Sequence, residues 1–524
     1  MRRYLGFVLT AIMSIALVFL IVTRARTTYD APAKIVPVVS SIDGGADGGV
    51  VDAGEVDAGL VDAGALADGS VDAGALAAST IDASAGDATT PPSTAGPLRV
   101  TALGWELVAA GAALATANAD VATRLPFVLA PETTLEAVSA RLARGGGDPA
   151  GADVAVLPLP AFVITYDRLR ALDLRAFAVV GLSRGREEIH SVQGAWIKPP
   201  SGSDEVKLAA FGPSSAGDPA ARAAGSESAT FLGLFALDLL GVDPSRVRLV
   251  APGSVDGMGA PFAAITKGTA DPRRLVLSTS NASRLVPLLL IAPRSKLDAD
   301  ETKLRSFARA WMDGLVRGDA ATVARRLAAK DGVPLAEGVT NAPDAVSLVE
   351  KLGQIAPATL ADQRTWIGPS VHPPSSLATL MQRTWQLARA SGLTQGAEPE
   401  PLPIDARITT ALAMDAAPPA GDALNASVTD AGASAPFAVR TTPLIVYRAR
   451  GNQIDAAGVA GEIAFLASVF EHATFRVAAK GGEKSARAIT AIAQDRFGVS
   501  AARLATARGE PKGVFASVDI FDAP

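Results

Sequence analysis

The chain of 524 residues is predicted to be an α/β protein. It reads as a two-lobed domain over 97–395 and a small α/β domain over 437–524, preceded by one transmembrane helix and a disordered linker. Three observations predict this. Short runs rich in Val and Leu alternate with longer runs of helical spacing, the pattern of mostly parallel strands covered by crossover helices. Residues 97–395 exceed one ordinary domain, so they divide into two lobes. Over 396–436 the chain turns rich in Pro, Ala and Asp, a second linker that sets the last segment apart.

Residues 4–23 are uncharged and strongly apolar. Twenty helical residues span about 30 Å, the thickness of a bilayer's hydrocarbon core. Arg2 and Arg3 precede the run, and Val22-Thr23-Arg24-Ala25-Arg26 closes it with charge in place of a small-x-small cleavage site. Residues 1–30 are therefore expected to be a retained anchor and not a cleaved signal. Arg24 and Arg26 balance Arg2 and Arg3, and the free amino terminus tips the count towards a cytoplasmic N-terminus and an exported body.

Residues 31–96 follow as an acidic linker in which VDAG recurs at 51–54, 56–59, 61–64 and 71–74. The net charge of −5 divides unevenly: +4 over 1–34, −10 over 35–97, and +1 over the rest. A self-repelling, Gly-rich, aromatic-poor segment stays extended and solvated, with a root-mean-square reach of about 40–45 Å. The GGxGxD spacing of calcium-binding repeats is absent. The nearly neutral remainder carries no footprint for nucleic acid. There is no cysteine, which excludes disulfides, thiolate nucleophiles and Cys-ligated metals. Abundant Ala, Gly and Pro with scarce Lys fit a high-GC bacterial genome.

The spacing predicts a strand over 98–103, a Gly104-Trp105 loop and an Ala-rich helix to about 116. A helix over 131–144 stops at Gly145-Gly146-Gly147. Strands follow over 153–159, 177–181 and 189–197, then an apolar helix over 230–240 closed by Gly241. Strands over 247–250, 275–277 and 285–292 precede a helix that Asp298-x-x-Glu301 would cap, with Leu304, Phe307, Trp311 and Leu315 on one face. The last segment reads strand 444–447, helix 456–470, strand 474–478, helix 485–496 and strand 513–520.

Gly181-Leu182-Ser183-Arg184-Gly185 matches G-x-S-x-G, which needs a strand before it and a helix after it. The strand is expected, but Arg186-Glu187-Glu188-Ile189-His190 and a β-like run follow. The only histidines are His190, His372 and His472, none suitably placed for a triad, so no hydrolase is expected. They show no paired spacing either, so no metal site is expected. Gly145 to Gly147 is not followed by Lys-Ser/Thr, and no well-placed GxGxxG exists. Gly225-Ser226-Glu227-Ser228-Ala229-Thr230 opens a helix with small hydroxyl residues. Free N–H groups there can hold an anion or polar group, or the hydroxyls can serve as plain N-caps.

The order of these parts resembles the type 2 periplasmic solute-binding proteins of the nitrate/sulfonate/taurine class. The likeness runs through Gly104-Trp105-Glu106, Gly151-Ala152-Asp153-Val154, the hinge strand from Val179 to Gly185, the helix start at 225–230, Leu240-Gly241-Val242-Asp243 and Val247-Arg248-Leu249-Val250. The resemblance implies two lobes closing on a small polar or anionic ligand, with no catalysis and no cofactor. It implies ligand contacts by Trp105, Ser183, Ser226, Ser228 and Thr230, and an ABC-type permease as partner. The lysine-rich entry to the second lobe is replaced by the Gly/Pro/Ser-rich stretch 212–219, so the ligand's identity does not carry over.

The segment 437–524 resembles an OmpA-like peptidoglycan-associated domain, in which Arg487 matches the ligand-gripping Arg. The Gly-His-Thr-Asp motif of that family is replaced by Ala478-Ala479-Lys480-Gly481-Gly482, so the Asp of the grip is missing. The expectation is a single-pass inner-membrane protein with its body in the bacterial periplasm. The alternative is a structural envelope protein that binds peptidoglycan or a protein partner through the OmpA-like domain, with a vestigial cleft.

Overall fold

The structure, a computed structural model, describes residues 96–117, 125–191, 205–210, 226–250, 262–266, 275–317, 319–339, 341–367, 376–415, 443–449 and 455–521. The expected anchor and VDAG linker lie outside these residues. Among the described residues, no helix is long and apolar enough to cross a membrane.

The first sheet collects β1 (Leu98–Leu103), β2 (Phe127–Glu132), β3 (Val154–Pro158), β4 (Leu174–Ser183), β10 (Pro287–Pro293) and β11 (Ile355–Pro357) in the order β11-β4-β10-β3-β1-β2. β1 pairs in parallel with β2 and β3, with Val100 opposite Leu129 on one side and Val154 on the other. α1 (Ala109–Ala117), α2 (Leu135–Arg144) and α3 (Leu159–Arg168) follow β1, β2 and β3 in turn along the chain. The second sheet holds β5 (Glu187–Ser191), β6 (Val206–Ala210), β7 (Val247–Val250), β8 (Phe262–Thr266) and β9 (Leu275–Ser278), in the order β7-β6-β8-β5-β9. α4 (Ser226–Leu239) covers it so closely that a Cβ on Gly233 would lie 2.8 Å from Leu208 Cδ2.

The chain crosses from the first sheet to the second between β4 and β5, and returns between β9 and β10. This return corrects the expectation of mostly parallel pairing. β10 enters from the far lobe and runs antiparallel between β3 and β4, while β5 is antiparallel to both β8 and β9. A strand's direction follows from the end at which the chain arrives, which composition does not encode.

After β10, α5 (Arg294–Arg317) packs on α1. Leu304, Phe307 and Trp311 are buried there, as their spacing predicts. A Cβ on Gly111 would lie 2.7 Å from Trp311 Cζ3, so glycine permits this close approach of helices. The Asp298 cap is corrected: the helical run begins earlier, at Arg294, and breaks at Asp300 with φ −126° and ψ 29°. Lys296 bridges Asp153 at 3.0 Å and Asp300 at 2.8 Å beside that break.

Then come α6 (Ala320–Ala329), α7 (Ala345–Gly353), β11, α8 (Leu360–Ile367), α9 (Leu377–Ala390) and α10 (Ala406–Asp415). α10 lies within the stretch expected to be a linker. Residues 403–405 hydrogen-bond along β4, with Ala176 N donating to Pro403 O and Asp405 N donating to Ala176 O. Ile408 and Leu412, four apart, then bury one helical face.

The last segment builds its own sheet from β12 (Ile445–Arg448), β13 (Thr474–Ala479), β14 (Leu504–Thr506) and β15 (Ala516–Phe521), ordered β12-β15-β13-β14. α11 (Ala456–Val469) and α12 (Gly482–Phe497) belong to it. It packs on the body: Phe235 of α4 meets Phe465 edge-on at 6.2 Å and stacks with Phe470 at 6.3 Å.

Candidate functional site

The two crossings lie side by side and are laced together by hydrogen bonds. Ser183 N donates to Val286 O at 3.0 Å, and Thr279 N donates to Glu187 O at 3.0 Å. Thr279 Oγ1 accepts from Gly185 N at 2.9 Å and Glu187 N at 3.3 Å, and donates to Glu187 Oε2 at 3.1 Å. Ser183 Oγ donates to the same carboxylate oxygen. Gly185 has φ +77°, and a Cβ there would lie 2.5 Å from Ser280 Oγ, so the turn requires glycine.

This lacing buries charge. Glu187 is 1 % exposed. Burial pushes its carboxyl pKa up, against the opposing pull of Arg186 and the two hydroxyl donors. Arg186 Nη2 reaches Glu106 Oε1 at 2.9 Å, and its Nε lies 3.9 Å from Glu187 Oε1. Arg186 Nη1 is buried without a hydrogen-bond partner among the described residues. Glu106 comes from the connection between β1 and α1 in the first lobe. A Cβ on Gly104 would lie 2.6 Å from Glu106 Oε1, so the small residue clears space for that carboxylate.

The arrangement joins the first lobe's opening loop, both crossings and the start of the second sheet. Chemically it offers one unfilled donor on a guanidinium, flanked by two acids. Two expected site residues sit here: Ser183 in the lacing, and Trp105 buried directly before Glu106. Ser228 and Thr230 are also buried, on α4. No hydrogen bond among the described residues joins them to the crossings. Ser226 is the first residue of α4, and its side chain lies outside the described residues. Arg487 stands apart on α12, half exposed and paired to Glu483 at 2.6 Å.

The G-x-S-x-G match is not an elbow. Gly181 to Ser183 end β4, and β5 starts two residues after Gly185. Ser183 bonds a carboxylate, while His190 Nε2 pairs with Glu188 Oε2 at 2.9 Å. Among the described residues, no cluster of His, Asp and Glu could hold a metal. Sequence reasoning missed Glu106, Arg186, Glu187 and Thr279 as site residues. The available signal was the charged run Arg184 to Glu188 between two apolar strands, where charge must be paired when buried.

No protein family model matches the chain, and no curated protein matches it. Solved structures similar to it include the periplasmic aliphatic sulphonate-binding protein SsuA from Escherichia coli, at 16 % identity over 60 % of this chain and 91 % of that one, with a TM-score of 0.38. The alkanesulfonate-binding protein SsuA from Xanthomonas axonopodis pv. citri, bound to MOPS, matches at 14 % identity over 57 % and 93 %, with a TM-score of 0.36. The periplasmic nitrate-binding protein NrtA from Synechocystis PCC 6803 matches at 13 % identity over 44 % and 65 %, with a TM-score of 0.31. At TM-scores this low the likeness carries nothing about the site, whose chemistry rests on its own geometry.

Proposed function

We propose that this chain is a membrane-anchored, extracytoplasmic solute-binding protein that captures a small polar or anionic ligand by lobe closure, without catalysis. The observation that carries this reading is the pair of laced crossings around Arg186, whose Nη1 is buried and unpartnered. A buried donor without an acceptor costs about 1–3 kcal/mol, and more on a charged group. A ligand oxygen delivered there would recover that energy only when the lobes exclude water. Protonation of the buried Glu187 would turn a repelling acid into a second donor. Trp105 and Ser183 would line the ligand beside this cluster, and closure would bring towards it the start of α4, whose first turns carry Ser226, Ser228 and Thr230. The expected partners are the membrane and an ABC-type permease.

The test is a thermal-shift screen of the full-length chain against small anions, sulfonates and amino acids. A ligand at a hundredfold excess over its Kd stabilises by about 2.7 kcal/mol, enough to raise the melting temperature measurably. A flat response across the panel contradicts the reading. A second reading is favoured by one feature, the Glu106 carboxylate already seated on Arg186 at 2.9 Å. In it the cleft is vestigial and the protein works as an envelope component through its OmpA-like domain. Sedimentation with purified peptidoglycan that disappears in Arg487→Ala would support this reading, and no sedimentation of the parent chain would remove it.

A further inference from the structure

The C-terminal domain and the body line an open cleft of about 370 Å³, walled by polar and apolar groups alike, that shares no lining residue with the hinge cluster. That volume lies within the range of small-molecule sites, about 300–1,000 Å³. Three elements wall it: α4, α9 and the C-terminal domain. Arg383 of α9 is satisfied there, with Nη2 on Asp238 at 2.6 Å and Nη1 on Glu462 Oε1 at 2.9 Å. Two opposite valences remain on the same cavity. Arg448 of β12 makes no ion pair or hydrogen bond among the described residues, and its Nε is buried without a partner. Glu462 Oε2, the oxygen that Arg383 leaves free, is also buried and unpartnered. Leu387 and Pro244 supply apolar wall between the charged groups.

We infer that this cavity is a ligand site, distinct from the hinge, for a small zwitterion with an apolar body. Its carboxylate meets the Arg448 guanidinium and its ammonium group meets Glu462. Arg448 lacks an ion pair and Glu462 has one oxygen unfilled among the described residues, and a single molecule that brings both signs satisfies both at once. An anion alone would satisfy Arg448 and leave Glu462 Oε2 unfilled, and a cation alone would do the reverse. Because α4 and α9 provide two walls and the C-terminal domain the third, the occupant also ties that domain to the body.

Isothermal titration of the full-length chain tests this with three probes: L-leucine, 4-methylpentanoate (leucine without its amine) and 3-methylbutylamine (leucine without its carboxylate). L-leucine is expected to bind at least tenfold more tightly than either half-probe. Arg448→Leu is expected to weaken it at least tenfold, and Ser183→Ala at the hinge to leave it unchanged. Should Arg448→Leu fail to fold, Glu462→Gln decides: it keeps the grip on Arg383 and is expected to lower the affinity for leucine to that of 4-methylpentanoate. No heat from leucine, equal binding of 4-methylpentanoate by the parent chain, or loss in Ser183→Ala with retention in Arg448→Leu would each overturn the proposal. The last result would assign the leucine to the hinge.

Discussion

Replacing Arg186 by Met removes one charge from the hinge while keeping most of the side chain's apolar bulk. The Arg186 and Glu106 side chains are 9 % and 4 % exposed and lie 2.9 Å apart, so solvent screens them little. At an effective dielectric of about 20, that separation gives an attraction of about 6 kcal/mol before desolvation is counted. Desolvation of both ions offsets much of it, which makes the intact pair worth far less. Breaking the pair from one side is different. Glu106 stays buried without its partner, Glu187 loses the nearby cation, and the expected loss is about 3–5 kcal/mol. The double variant Glu106→Gln/Arg186→Met removes both partners and should recover about half of that loss or more, because the penalty lies in the orphaned charge. Urea unfolding followed by tryptophan fluorescence measures both variants, with Trp105 beside the perturbed carboxylate. A cost below about 1 kcal/mol for Arg186→Met would refute the reasoning, since that is the worth of an exposed pair. So would strict additivity with Glu106→Gln.

Gly111→Val puts atoms where even a Cβ lies 2.7 Å from Trp311 Cζ3. It should cost about 1–3 kcal/mol by overpacking, and an unchanged melting temperature would contradict the α1–α5 contact. Burial raises the Glu187 pKa above its ordinary 4.5. The stability it contributes is therefore full below about 4.5 and is lost as pH rises through the raised value. Glu187→Gln should remove that slope, so unfolding midpoints of the parent chain fall relative to the variant with rising pH, whereas parallel curves would argue against the shift. Arg487→Ala removes only an exposed pair with Glu483 and should change stability by less than about 0.5 kcal/mol. A loss above about 1 kcal/mol would mean that Arg487 has a structural role not visible in its contacts.

Much of the fold was legible because its strands are short runs rich in Val, Leu and Ala. β1, β3, β4 and β7 lie where the runs over 98–103, 153–159, 177–181 and 247–250 predict strands, though Leu159 already opens α3. The direction of β10 was not legible, since Leu288 to Ile291 reads the same whichever way the chain enters the sheet. α10 was hidden by composition: Pro-rich flanks and Ala-rich turns outweighed the Ile408–Leu412 spacing that buries it. At the site, the hydroxyl-bearing positions drew notice, but the charged ones hold the cluster together. Ser228 and Thr230 cannot face one way, because residues two apart on a helix point to nearly opposite sides. Ser228 and Thr230 are nonetheless both buried, because α4 packs against the second sheet on one side and against α9 and the C-terminal domain elsewhere.

Closure of the two lobes on a ligand would shorten the distance between them, which spin labels can measure. The chain has no cysteine, so a pair of spin labels can be placed without background. Ala140→Cys on α2 and Arg248→Cys on β7 occupy exposed positions in the first and second lobes. Pulsed electron resonance would compare the doubly labelled chain with and without a ligand that raises its melting temperature. A shorter and narrower distance distribution is expected in the presence of ligand. A distribution that such a ligand leaves unchanged would contradict lobe closure.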